Sequence, residues 1–164
     1  MSSTHPSATG DVRVAGRPAP ARRPRTRDVP AAVIAAIAAG GALGALARYG
    51  VTSALPHGPG EFPWSTFLVE VSGCLLIGVL VVLVTEVLGR PHRLARPFFG
   101  VGLLGGYTTF SAYTWEALAL IEHGAVTVAL TYLFGTLIAA VAAVQIGVLA
   151  TRAVVVRARE EPRS

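Results

Sequence analysis

Four windows of the chain, residues 31–54, 64–88, 97–121 and 124–151, each contain at most two charged side chains. A helix rises 1.5 Å per residue, so about twenty residues cross a hydrocarbon core about 30 Å thick. Each window is long enough to do so with some tilt. The joins between them are short: a Pro/Gly loop from Pro56 to Glu61, a basic loop from Gly89 to Pro97, and a tight Glu122-His123-Gly124 turn. Short joins make neighbouring helices antiparallel, so the expected fold is an all-α membrane protein with four transmembrane helices over residues 31–152. Only 14% of the 164 residues are charged, against about a quarter in soluble domains, which excludes a soluble multi-domain enzyme. The length also leaves no room for the inverted repeats of larger transporters. Any pseudo-symmetry must then come from a second chain.

Residues 1–30 are rich in Ser, Thr, Pro, Ala, Gly and Arg and bury too little apolar surface to order themselves, so a disordered tail is expected. Its arginines, followed by an apolar stretch with Ala45-Leu46-Ala47, also fit a secretory or twin-arginine signal, but no soluble domain follows. All fourteen basic residues are Arg, and this usage is not read as nucleic-acid binding. Six lie in the N-terminal tail, three in the 89–97 loop and four in the basic tail at 153–164 and its approach, leaving only Arg48 on the other side. Thirteen to one predicts that both termini lie inside a bacterial plasma membrane. The single cysteine, Cys74, excludes an internal disulfide framework and a Cys-based zinc site.

Polar residues within the spans narrow the function. Gly40 and Gly44 have the small-residue spacing that lets membrane helices approach closely. Arg48 follows, either snorkelling to the interface or drawing an anion to a pore mouth. Thr66 and Glu70 share one helix face, and an acid between Val69 and Val71 must find a partner, a cavity or a pathway. In the third window Gly100, Gly102, Gly105 and Gly106 precede Tyr107-Thr108-Thr109-Phe110-Ser111-Ala112-Tyr113-Thr114. Glycine pairs followed by hydroxyl residues predict a break in mid-membrane, where helix ends offer carbonyls to a cation and N–H groups to an anion. Phe110 and Tyr113 share a face, either as packing or with positively polarised ring edges toward an anion. Glu116 extends that face toward the outer end as a solvated or hydrogen-bonded acid. Tyr132 and Thr136 pair at i, i+4 in the last window.

Three blocks then resemble the CrcB/Fluc family of fluoride channels. They are Gly40 through Tyr49, Phe62 through Gly73, and Gly102 through Tyr113, in order and at matching spacing over about residues 35 to 150. The resemblance implies a subunit that pairs antiparallel with a second one, forming two narrow fluoride pores that let trapped cytoplasmic fluoride leak out. It implies a structural sodium ion at the dimer interface, held by backbone carbonyls of Gly105 and Thr108 in a broken third helix. It further places Phe110 and Tyr113 as anion-facing rings, Arg48 in the vestibule, and Thr66, Ser111, Tyr132 and Thr136 as pore hydroxyls.

Two positions depart from the family pattern. Glu70 stands where the family usually has Asn, and an ionised carboxylate repels an anion that an amide could bind. Tyr113 stands where Phe is usual and adds a hydroxyl that needs a partner. The expected function is passive fluoride export with no enzymatic chemistry. One alternative is a pore-impaired half of a heterodimer with a homologous subunit, because a chain biased thirteen to one inserts only one way. Another is a small multidrug resistance type of transporter, which carries its essential acid in the first span, where this chain has none.

Overall fold

A computed structural model describes residues 30–87 and 93–160, and among them there is no strand. The N-terminal tail, Arg90 in the basic loop, and Arg163 lie outside the described residues. Helix α1 spans Ala31–Ala54 and α2 spans Trp64–Val82, continuing as a wider π-helical turn over Leu83–Val87. A second π-helical segment, Arg96–Leu103, runs into the short α3, Leu104–Tyr107. Helix α4 spans Phe110–Glu122 and α5 spans Val126–Glu160.

Local chemistry accounts for these boundaries. Pro30 precedes α1 and Pro63 precedes α2, each lacking an N–H at a position where a helix has no use for one. The turn after α4 is a Schellman motif: Gly124 adopts φ 76°, its N–H donates to Ile121 O at 2.9 Å, and Ala125 N–H donates to Leu120 O at 2.9 Å. A side chain at position 124 would be strained, so the Glu122-His123-Gly124 turn depends on glycine there.

Two close pairings organise the bundle. α1 lies against the second π-helical segment and α3, and α2 lies along α5. Glycines permit both. A Cβ at Gly44 would fall on the Leu103 carbonyl, and one at Gly106 on the Gly41 carbonyl. At the other crossing, a Cβ at Gly78 would fall on Val144 O and one at Gly147 on Leu75 O. The close approach expected from the Gly40 and Gly44 spacing is therefore made within the chain, to backbone of the segment that precedes the break. A small core of Ala117, Leu120, Ala129 and Tyr132 joins α4 to α5, with Phe62, Phe67 and Tyr113 packed around it.

Among the described residues, three helices are long and apolar enough to cross a membrane: Ala31–Ala54, Trp64–Val87 and Val126–Ala158. Residues 96–122 are not among them because they are divided at Thr108 and Thr109, and α4 alone has 13 residues. Large apolar side chains such as Leu46, Trp115, Phe134 and Ile138 are exposed, a surface that needs lipid or protein against it. With 35 residues α5 is about 52 Å long, which exceeds the hydrocarbon thickness, so its basic end projects beyond it. The helix continues past 151 through Glu160, where Ala and Arg favour helix and Arg152 pairs with Glu86 at 2.6 Å. That pair is exposed and adds little to stability.

Candidate functional site

The site is organised by the two residues between α3 and α4. Thr108 (φ −80°, ψ 158°) and Thr109 (φ −156°, ψ 106°) are extended, and helix resumes at Phe110. Thr109 caps α4 by accepting a hydrogen bond from Ala112 N–H on its hydroxyl at 3.3 Å. Its own N–H, which in an unbroken helix would reach the Gly105 carbonyl, donates instead to Glu70 Oε1 at 2.7 Å. α2 can come this close because residue 73 is glycine: a Cβ there would meet the Thr108 methyl. On the opposite side, Arg48 Nε donates to the Gly106 carbonyl at 3.3 Å, tying α1 to the end of α3. Thr108 returns both its N–H and its hydroxyl to the Leu104 carbonyl, each at 3.0 Å.

This arrangement fits a sodium ion on the chemistry of its donors. The N–H groups that helical geometry would direct to the Gly105 and Thr108 carbonyls, those of Thr109 and Ala112, are both committed elsewhere. Neutral carbonyl oxygens freed by a helix break are hard donors suited to a monovalent cation. Gly105 is also exposed, and a Cβ built on it meets nothing of this chain within 4 Å.

Beside the break lies a cavity of about 250 Å³ lined by Glu70, Thr108, Phe110, Tyr113, Thr136 and neighbouring α5 residues. The Phe110 and Tyr113 rings lie 6.0 Å apart at 42°. Phe110 is 77% exposed, so its ring covers little of its own chain. The extra hydroxyl of Tyr113 has the partner it needs, donating to Leu133 O at 2.7 Å. Thr136 is 4% exposed, and its hydroxyl has no hydrogen-bond partner. Ser111 does not line the cavity; its hydroxyl lies 3.2 Å from that of Thr109.

The remaining candidates gather around a residue that spacing alone left as an ordinary surface acid. Thr66 donates to Glu116 Oε1 at 2.8 Å, and Tyr132, completely buried, donates to Glu116 Oε2 at 3.0 Å. Glu116 thus joins α2, α4 and α5. Its position three residues after Tyr113 was the one available signal. The Tyr113 and Tyr132 rings, 5.1 Å apart at 49°, connect this cluster to the cavity. Thr66 and Glu70 do share a face, and that face looks toward α4 at both levels. The assembled groups are ring edges, hydroxyls, a helix start and freed carbonyls, a set suited to holding ions.

Known proteins share this sequence pattern. The family described as CrcB-like protein, Camphor Resistance (CrcB), matches residues 35–148. The fluoride-specific ion channel FluC 2 of Nocardia farcinica is 54% identical over 134 residues, covering 82% of this chain and 93% of the relative. FluC 2 of Streptomyces avermitilis is 46% identical over 137 residues, covering 84% and 85%. FluC 2 of Thermobifida fusca is 46% identical over 132 residues, covering 80% and 97%.

Proposed function

This chain belongs to the CrcB-like family, and on that premise we propose that it is a subunit of a fluoride-specific ion channel in the bacterial plasma membrane, exporting cytoplasmic fluoride passively. The observation that carries this reading is the cavity at the helix break. It is lined by the Phe110 and Tyr113 rings and by Thr136 and lies beside the start of α4, a setting for a small anion. Fluoride would move along ring edges and hydroxyls, with Thr66, Tyr132 and Thr136 on the buried side, Ser111 near the helix start and Arg48 raising the local potential at the mouth. Nothing in this role requires covalent chemistry, so the protein is a channel and not an enzyme.

In this reading residues 96–107 and 110–122 form one interrupted span, the third of four in chain order. A second subunit packs antiparallel against the exposed break. A sodium ion bound by the Gly105 and Thr108 carbonyls of each subunit would supply positive charge at the axis and fix the break. Both termini are cytoplasmic. The thirteen-to-one Arg distribution favours a homologous, oppositely inserted partner over a second copy. Streptomyces avermitilis has relatives named both FluC 2 and FluC 3, so multiple channel sequences do occur in one organism. Liposomes carrying the purified protein, alone and with such a partner, should release fluoride but not chloride without a proton gradient. Chloride passage, or no fluoride release from either preparation, would refute the channel reading. Reporters at the two termini decide the pairing: equal signal from both sides of the membrane with full flux from the single chain would refute the heterodimer.

A further inference from the structure

Glu70 is the one carboxylate that lines the cavity at the helix break. Its Oε1 accepts the Thr109 N–H at 2.7 Å, immediately before the first residue of α4. The first N–H groups of a helix lack intrahelical partners and carry partial positive charge, and α4 has 13 residues over which to build that dipole. A bond from such an N–H to an ionised carboxylate is short and charge-assisted. Thr136 also lines this cavity, and its hydroxyl, buried beside it, has no hydrogen-bond partner. A helix-start N–H bonded to a carboxylate and two aromatic rings thus border one space.

We infer that Glu70 acts as a tethered anion in the seat a mobile anion would use, holding the track through this subunit in a poorly conducting state. The inference rests on the fluoride-channel reading and adds a specific cause of low conduction. The charges around the carboxylate support it. Thr108, Phe110, Thr136, Leu137 and Ala140 bring no formal charge, and Tyr113 directs its hydroxyl to Leu133 O. Among the described residues no arginine lines the cavity, and Arg48 Nε is engaged by the Gly106 carbonyl. A fluoride entering beside Glu70 therefore meets a like charge that no other side chain lining the cavity offsets.

A purely structural role for Glu70, as an acceptor that fastens α2 to the start of α4, makes a different prediction. Glu70→Gln separates the two. The amide oxygen still accepts from Thr109 N–H, the side-chain length is unchanged, the charge is removed and an N–H donor is gained. Full-length protein in liposomes is assayed with a fluoride electrode, comparing wild type, Glu70→Gln and Glu70→Asn, with size-exclusion profiles and melting curves confirming folding. Glu70→Gln should raise fluoride efflux at least about tenfold, the scale expected when an uncompensated charge leaves such a site. Phe110→Ile in the Gln background should return efflux toward the wild-type level, which shows that the gained flux uses this cavity. A folded Gln variant no faster than wild type overturns the tethered-anion assignment, and so does one that is slower. If Glu70→Gln does not fold, Glu70→Asn is judged by the same criterion. Fluoride-selective efflux from wild type at an unchanged rate in the variants would leave the channel reading standing. Absence of efflux from every form, including the protein assembled with a homologous subunit, would overturn the channel reading itself.

Discussion

The phenol of Tyr132 on α5, completely buried, donates a hydrogen bond to Glu116 Oε2 on α4 at 3.0 Å. Because Thr66 of α2 uses the other carboxylate oxygen, one acidic side chain satisfies two buried hydroxyls from two helices. Glu116→Ala should therefore destabilise the subunit more than an exposed acid would, by about 1–3 kcal/mol for each donor left unpaired. Glu116→Gln keeps an acceptor oxygen and should be milder. Melting temperatures in detergent check the order: a melting point for Glu116→Ala equal to wild type would show that these bonds contribute nothing.

Thr136→Val tests the opposite situation. Valine has nearly the shape of threonine but no hydroxyl, and here it removes a buried donor that has no partner within the chain. Stability should be unchanged or slightly higher, because no intramolecular hydrogen bond is lost. Fluoride efflux should fall severalfold if the hydroxyl serves the ion. A fall in stability with unchanged efflux would assign Thr136 to packing.

Gly105→Val separates effects inside the subunit from effects between subunits. A Cβ at this position meets nothing within 4 Å of the same chain, so the isolated subunit has no clash to relieve. In the proposed dimer, where two subunits and a sodium ion would meet at this position, valine would crowd all three, and dimerisation and efflux should both be lost. Gly44→Val is the contrast, because a Cβ there strikes the Leu103 carbonyl and should impair folding itself. Wild-type dimer content and efflux in Gly105→Val would remove Gly105 from the interface.

Phe110→Ile keeps much of the apolar volume and removes the polarised ring. With 77% of Phe110 exposed in the single chain, folding should be little affected. Efflux, measured in a background where the wild-type track conducts, should drop by an order of magnitude or about that, the cost of losing an electrostatic contact of 1–1.5 kcal/mol. Unchanged efflux would place Phe110 among packing residues.

Much of this protein is determined by sequence alone because it depends on neighbours along the chain. Hydropathy and window length define the three long apolar helices, since the bilayer imposes the same length on any spanning helix. Gly124 marks the turn after α4, and Gly40 with Gly44 marks a close helix contact, because glycine's missing Cβ has local consequences wherever backbone must bend or approach. The departure from helix near Thr108 and Thr109 was legible for the same reason. What needed the tertiary structure is which groups meet there. Thr66 and Glu116 are 50 residues apart, and Glu70 and Thr109 are 39 apart, so no local period encodes either bond. Glu116 passed as an ordinary acid near a helix end until α2 and α5 brought two hydroxyls to it. The commitment of Thr109 N–H to Glu70, in place of the Gly105 carbonyl, likewise depends on how closely α2 approaches. That approach is permitted by Gly73, where a Cβ would meet the Thr108 methyl, a fit that exists only after the helices have packed.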